Sequence, residues 1–291
     1  MRKADGFANE IHLVAPPALN RQLAQFPLAT GLHVTAIGHF PRAEYHYRSR
    51  EHGCQDYILI YCVEGNGWYR IRNHTRTVCQ HEAFVLPPNI AHTYGTGGQT
   101  PWTIYWAHFQ GDHALTYFRY LSSDNLTIPV HATLRDTLAN LFQCALKSPH
   151  QGLTLGNLIH TSSALAHILC SLFFANPAYV PGITTPQYKA IEKAIHFMHR
   201  HKDHPLNLTQ LADQAALSIP HFSRLFKLKT GSSPVDFFNR LRIQQACQQL
   251  ITTDLSIKQV AFSLGYSDPY YFSRSFKKVM GVSPGQYRKG F

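Results

Sequence analysis

The stretch FSRLFK at Phe222–Lys227 returns as FSRSFK at Phe272–Lys277, fifty residues on and with five of six letters unchanged. The same grammar surrounds each copy: a short apolar-periodic segment, a tight turn of small residues (Ala215-Ala216, then Gly265), a second helix, then Gly and Ser-Pro. A chain that repeats such a unit builds two small helix-turn-helix modules. Caps mark the helix starts. Asn207 stands three residues before Gln210, and Ser256 three before Gln259, the spacing at which side chains reciprocally satisfy unpaired backbone donors. Ser218 and Ser267 precede the two repeated helices. Ser233-Pro234 opens a longer helix, predicted to reach about Leu250, that joins the repeats.

A helical wheel sorts the repeated helices into faces. Phe222, Leu225 and Phe226, and in the second copy Phe272 and Phe276, fall on a core side. The opposite side holds Pro220, Ser223, Arg224 and Lys227 with His221 beside them, matched by Tyr270, Ser273, Arg274 and Lys277 with Tyr271. Arginine there can donate two bonds to a guanine edge, and lysine suits phosphates. A single exposed arginine reads as a solvated face; the same arginine at the same place in two capped units reads as a base contact. Charge agrees. From Tyr188 onward there are 15 Lys and Arg against 6 Asp and Glu, a balance of +9 out of +11 for the whole chain. Such concentration calls for a polyanion, nucleic acid or an anionic membrane surface.

At 291 residues two domains are expected. The segment NPAYVPGITTP, with three Pro and one Gly, sets the boundaries: a first domain over 1–175, a linker over 176–187 and an all-helical domain over 188–291. Residues 33–110 read as short strands punctuated by turns (DYILIYCVEG, GWYRIRN, EAFVLPPNIAH, WTIYWAHF), hence an antiparallel barrel or sandwich. Two helices follow within the same domain. In the second, Leu158, Leu165 and Leu172 recur every seven residues; packing on the barrel would use such a ridge, but a seam of this spacing also pairs helices between subunits, and a homodimer through these three leucines is expected. The most apolar stretch, 158–175, carries too many polar residues for a membrane span, and no signal peptide is evident, so a cytoplasmic protein is expected. Six scattered cysteines without a C-x-x-C pair argue against zinc and disulfides.

Residues 188–291 resemble the DNA-binding domain of AraC/XylS-type transcription regulators. The likeness lies in A-x-x-x-G-Y-x-D-x-x-Y-F-S-R-x-F-K-K-x-x-G-x-S-P-x-x-Y-R, from Ala261 to Arg288. The first domain is similar to the family's cupin-like β-barrel sensor, most closely in its arabinose-responsive members, through GCQDYILIYCVEGNGWYRI, LPPNIAHTYG and WTIYWAHF. The resemblance implies binding to double-stranded promoter DNA, RNA polymerase as a further partner, activation, and a sugar as effector. It places Arg50, Tyr94 and Trp106 at sugar-binding positions and Thr35 at a hydrogen-bonding one, with His92 and Trp102 lining the same cavity. An arginine fork holds vicinal hydroxyls, and an indole face stacks on the C–H side of a pyranose. One departure stands out: Ile104 replaces a sugar-contacting histidine. The resemblance also implies that an amino-terminal arm, about Met1–Asn20, closes over the effector.

A barrel of this kind invites a rival reading as a metal-dependent enzyme. Such a site needs clustered histidines and a carboxylate. His46, His52, His81 and His92 are present without an H-x-H followed closely by Glu, so no enzyme activity, metal or cofactor is expected. An apolar effector, or none, would go with a pocket lacking the Arg–Tyr–Trp set.

Overall fold

The computed structural model describes residues 2–98, 100–121, 125–150, 152–179 and 183–290. It falls into two compact units, Met1–Pro181 and Gly182–Phe291.

The first unit opens with β1 (Ile11–Val14) and α1 (Pro17–Gln25), then runs through β2 (His33–Phe40), β3 (Tyr47–Arg50), β4 (Tyr57–Glu64), β5 (Gly67–Ile71), β6 (His74–Val78), β7 (Glu82–Leu86), β8 (His92–Thr96) and β9 (Thr103–Gln110). α2 (Asp112–Phe118), β10 (Thr127–Pro129), α3 (Ala132–His150) and α4 (Leu155–Phe174) complete it. The strands form a six-stranded sheet in the order β1-β2-β9-β4-β7-β10 and a four-stranded sheet in the order β3-β8-β5-β6, with every strand pairing between these elements antiparallel. Alternation along β9 feeds two cores. Tyr105, Ala107 and Phe109 join one shared with α3 and α4, while Ile104 and Trp106 join the one between the sheets.

The leucine ridge of α4 points inward. Leu158, Leu165 and Leu172 are each 0 % exposed, in the core that α4 shares with α3 and the larger sheet. The expectation of a subunit seam through these leucines is therefore corrected: the sheet occupies the face that a partner helix would need. Ser162 fixes the approach, its hydroxyl accepting the Val34 N–H at 3.1 Å while donating to the Leu158 carbonyl at 2.8 Å. α4 is also the one helix among the described residues long and apolar enough to cross a membrane, and half of that stretch is buried inside the unit. Leu165→Ala is expected to cost about 2–5 kcal/mol of stability through the cavity it leaves. Urea unfolding of the full chain checks this; a loss of self-association with stability unchanged would reinstate the seam.

The second unit is helical: α5 (Thr185–Arg200), α6 (Leu208–Gln214), α7 (Ile219–Thr230), α8 (Pro234–Thr252), α9 (Ile257–Ser263), α10 (Pro269–Met280) and α11 (Pro284–Lys289). Of the segment expected as linker, residues 180–182 lie outside those described. Its ends are structured. The Asn176 amide donates to the Pro129 carbonyl at 2.8 Å, and α5 starts at Thr185 because the Thr184 N–H is capped by Gln187 Oε1 at 2.9 Å.

α8 serves two cores in turn. Phe238 and Leu241 pack with α5, α6 and α7; Ile243, Ala246 and Leu250 pack with α9 and α10. Each helix-turn-helix thus has its own core, strung on one rod. Both capping boxes are present, Asn207 with Gln210 and Ser256 with Gln259. The second repeated helix departs from the sequence expectation: Asp268, not Ser267, is its N-cap, accepting the N–H groups of Tyr270 and Tyr271 at 2.8 and 3.1 Å. A carboxylate with two oxygens caps two donors where a hydroxyl caps one.

Candidate effector cavity and nucleic-acid interface

In the first unit, β2, β3, β8 and β9 and the amino-terminal segment surround a cavity of about 550 Å³. That is the size of a small-molecule site. Thr35, Arg50, Tyr94 and Trp106 line it, four of the six residues expected. Strand alternation places them: Arg48 and Arg50 come two apart on β3, and Ile104, Trp106, His108 and Gln110 alternate along β9. Arg50 Nη1 donates to the Tyr94 hydroxyl at 3.1 Å, so the fork is aimed by its neighbour across the sheet.

The other two expected residues lie elsewhere. Trp102 is fully buried in the intersheet core with its benzene ring over Gly67, where a Cβ would meet it at 2.0 Å. Its indole N–H donates to His46 Nδ1 at 3.1 Å. His92 is turned to its own chain, Nδ1 bonding the Ile90 carbonyl at 2.8 Å, and it does not line the cavity. Both expectations are corrected for one reason: Trp102, just before β9, and His92 on β8 share the parity of Trp106 and Tyr94, but the cavity reaches only part of the way along these two chain segments.

The cavity wall also holds groups that motif reading missed. Asp56 accepts from Gln110 Nε2 at 2.7 Å and from His108 Nδ1 at 3.2 Å. Burial alone would raise the Asp56 carboxyl, but hydrogen bonds from His108 and Gln110 hold it below the usual carboxylate range. His108 is itself lowered, chiefly by burial. His46 is pushed down to about 3, by burial first and then by the charges of Arg48 and Arg50. The cavity therefore presents cationic forks, one ionised carboxylate and neutral imidazoles at neutral pH. Only strand pairing, which sets Ile58 opposite His108, reveals that Asp56 belongs to this group.

The amino-terminal segment is folded onto this unit. Val14, Ala15 and Asn20 line the cavity, β1 pairs with β2, and Asp5 meets Arg48 at 3.2 Å. Among the described residues no group of three or more His, Cys, Asp or Glu is placed to hold a metal ion.

In the second unit, Phe222, Leu225 and Phe226 of α7 and Phe272 and Phe276 of α10 are buried. Their opposite faces leave Pro220, Arg224 and Lys227, and Tyr270, Tyr271, Arg274 and Lys277, exposed. Ser223, Ser273 and His221 are half-buried, and the Ser273 hydroxyl is taken by its own helix, donating to the Pro269 carbonyl at 2.9 Å. Lys278 adds a further exposed cation to α10. Arg274 Nη2 lies 3.9 Å from Asp268, the residue that caps its helix. The turns match the two units in kind. Ala216 takes φ +52° in the first and Gly265 +69° in the second, where a Cβ would stand 2.6 Å from the Asp203 carbonyl oxygen.

Comparison with known proteins agrees with both halves. Residues 33–169 match the AraC-like ligand binding domain, and residues 211–290 match a helix-turn-helix domain. The MmsAB operon regulatory protein of Pseudomonas aeruginosa is 35% identical over 286 residues, covering 97% of this chain and 91% of that protein. The raffinose operon transcriptional regulatory protein RafR of Pediococcus pentosaceus is 26% identical, covering 80% of this chain and 84% of its own length. The lactose operon transcription activator of Staphylococcus xylosus is 24% identical, covering 81% and 85% respectively. With a ligand-binding β-domain and two helix-turn-helix units in one chain, and with a relative alike over nearly its full length, this protein belongs to the AraC/XylS family of transcription regulators.

Proposed function

We propose that the chain is a cytoplasmic, sequence-specific activator of a sugar-utilisation operon, switched by a monosaccharide or closely related polyol in the first unit. One observation carries the effector class: Arg50, Asp56 and Trp106 stand on walls of a single cavity of about 550 Å³. A charged donor fork, a carboxylate acceptor and an indole face are together what a ring of alternating C–H and O–H groups requires. Asn20 adds a buried side-chain oxygen with no hydrogen-bond partner among the described residues. The names of the raffinose and lactose operon regulators support a sugar, and that of the lactose operon transcription activator also supports the direction of control. Base reading is assigned to Arg224 and Arg274, with Lys227 and Lys277 on phosphates. Family membership supports RNA polymerase as a partner and a homodimer, formed through a surface other than the buried leucine ridge.

Calorimetry with a set of pentoses, hexoses and uronates, beside a promoter-reporter assay, tests the reading. Trp106→Ala and Arg50→Ala are each expected to cost about 1–3 kcal/mol of effector binding, because polar groups of the bound ligand lose partners or its apolar face stays wet. Reporter induction should fail while DNA binding persists. A normal response in both variants, with no sugar bound by the parent chain, would replace the sugar by an apolar effector or none.

A further inference from the structure

Gly38 sits inside β2, an eight-residue strand, where glycine packs nothing and weakens the strand. The backbone does not ask for it, since Gly38 is absent from the glycines held at positive φ. What occupies the space is the ring of its register partner, Trp106. A Cβ on residue 38 would lie 2.5 Å from Trp106 Cε2 and Cζ2 and 2.7 Å from Nε1, far inside van der Waals contact. The indole thus rests on bare backbone, with Phe40 and His108 at its edges, ring centroids 5.3 and 5.5 Å away. No hydrogen bond holds it there: Nε1 is buried without a partner among the described residues.

We propose that Gly38 is a specificity-determining residue of the effector cavity. By carrying no side chain it seats the Trp106 indole against β2, and so sets how deep the cavity is above the ring. A methyl group at residue 38 would have to lift the indole by roughly 1 Å to restore ordinary contact. The lifted ring enters the space of a sugar ring lying face-on, while a slimmer open-chain polyol loses less. This inference rests on the effector reading above, and its test separates the two.

The full chain has three tryptophans, so a ¹⁵N–¹H spectrum resolves three indole signals, and Trp106→Phe identifies one of them. Gly38→Ala and Gly38→Val should move the Trp106 signal and leave those of Trp68 and Trp102. Calorimetry with the tightest-binding monosaccharide should show at least a tenfold loss for Gly38→Ala and no binding for Gly38→Val. In a Trp106→Leu background the same Gly38→Ala change should cost nothing further, because the ring that transmits it is gone. Both replacements suit an extended backbone, and Gly38→Ala serves if the larger one unfolds. An unmoved Trp106 signal, or an equal loss in both backgrounds, overturns the proposal. A moved signal with no monosaccharide bound by any chain upholds the seat and removes the sugar as effector instead.

Discussion

Raising the salt from 50 to 200 mM is expected to weaken promoter binding by the full chain about a thousandfold, the response of a protein that displaces counterions from at least six phosphates. The balance of 15 basic to 6 acidic residues from Tyr188 onward supplies the charge. Exposed Lys227, Lys277 and Lys278 place part of it beside the faces assigned to base reading. Specificity should separate from this term. Arg274→Ala is expected to cost about 1–3 kcal/mol on the preferred site and to flatten preference at one base pair. Lys277→Ala should weaken all sequences alike and lower the salt slope. The Asp268 contact does not compete strongly: the pair is 3.9 Å apart with Arg274 71% exposed, and an open ion pair of that length is exchanged for a guanine edge at little cost. α8, the helix that joins the two helix-turn-helix units, has 19 residues and is roughly 28 Å long, of the order of one DNA turn. Binding titrations on a randomised site library at graded salt check all three; a flat salt response, or unchanged preference in Arg274→Ala, would remove the assignment.

The helical half was legible because its signals are local. Caps, Ser-Pro starts and the repeated Phe pair each act within one turn of helix, and the capping boxes stand where their spacing puts them. The Ser267 cap failed on a competition between neighbours that spacing alone does not settle, since Asp268 offers two acceptors one residue on. The β half was legible by face and not by depth. Alternation tells that Trp102 and Trp106 point the same way; it does not tell that Gly67 lets the sheets close over one while the other borders a cavity. Asp56, His108 and Gln110 were invisible for a related reason, because their meeting depends on the register between β4 and β9. The leucine ridge misled because over the 20 residues of α4 a period of 3.5 and one of 3.6 drift too little to distinguish a subunit seam from a core face.

Arg242→Ala is expected to destabilise the second helix-turn-helix by about 3 kcal/mol, the sum of a lost charge-assisted hydrogen bond and a cavity only partly refilled. Arg242 lies on α8 and is only 9% exposed. Its Nε donates to the Leu264 carbonyl at 2.7 Å, at the end of α9, and its guanidinium lies 3.6 Å above the Tyr266 ring. Tyr266 in turn donates to Asn239 Oδ1 at 2.6 Å, so the turn of the second unit is fastened to α8 from both sides of one tyrosine. Two effects oppose each other. Removing the side chain strands a carbonyl and uncovers an aromatic face, yet it also removes a charge whose burial lowers its affinity for the proton and whose Nη2 has no partner among the described residues. Arg242→Met separates them by keeping a long stem over Tyr266 while discarding the charge. If packing dominates, Met should recover more than half of the Ala loss in urea unfolding. Footprinting at 25 °C should then show the half-site read by α10 lost in the Ala variant and largely kept in the Met variant. Equal damage from Ala and Met would mean that the hydrogen bond to Leu264, and not the stack on Tyr266, holds the second reader in place.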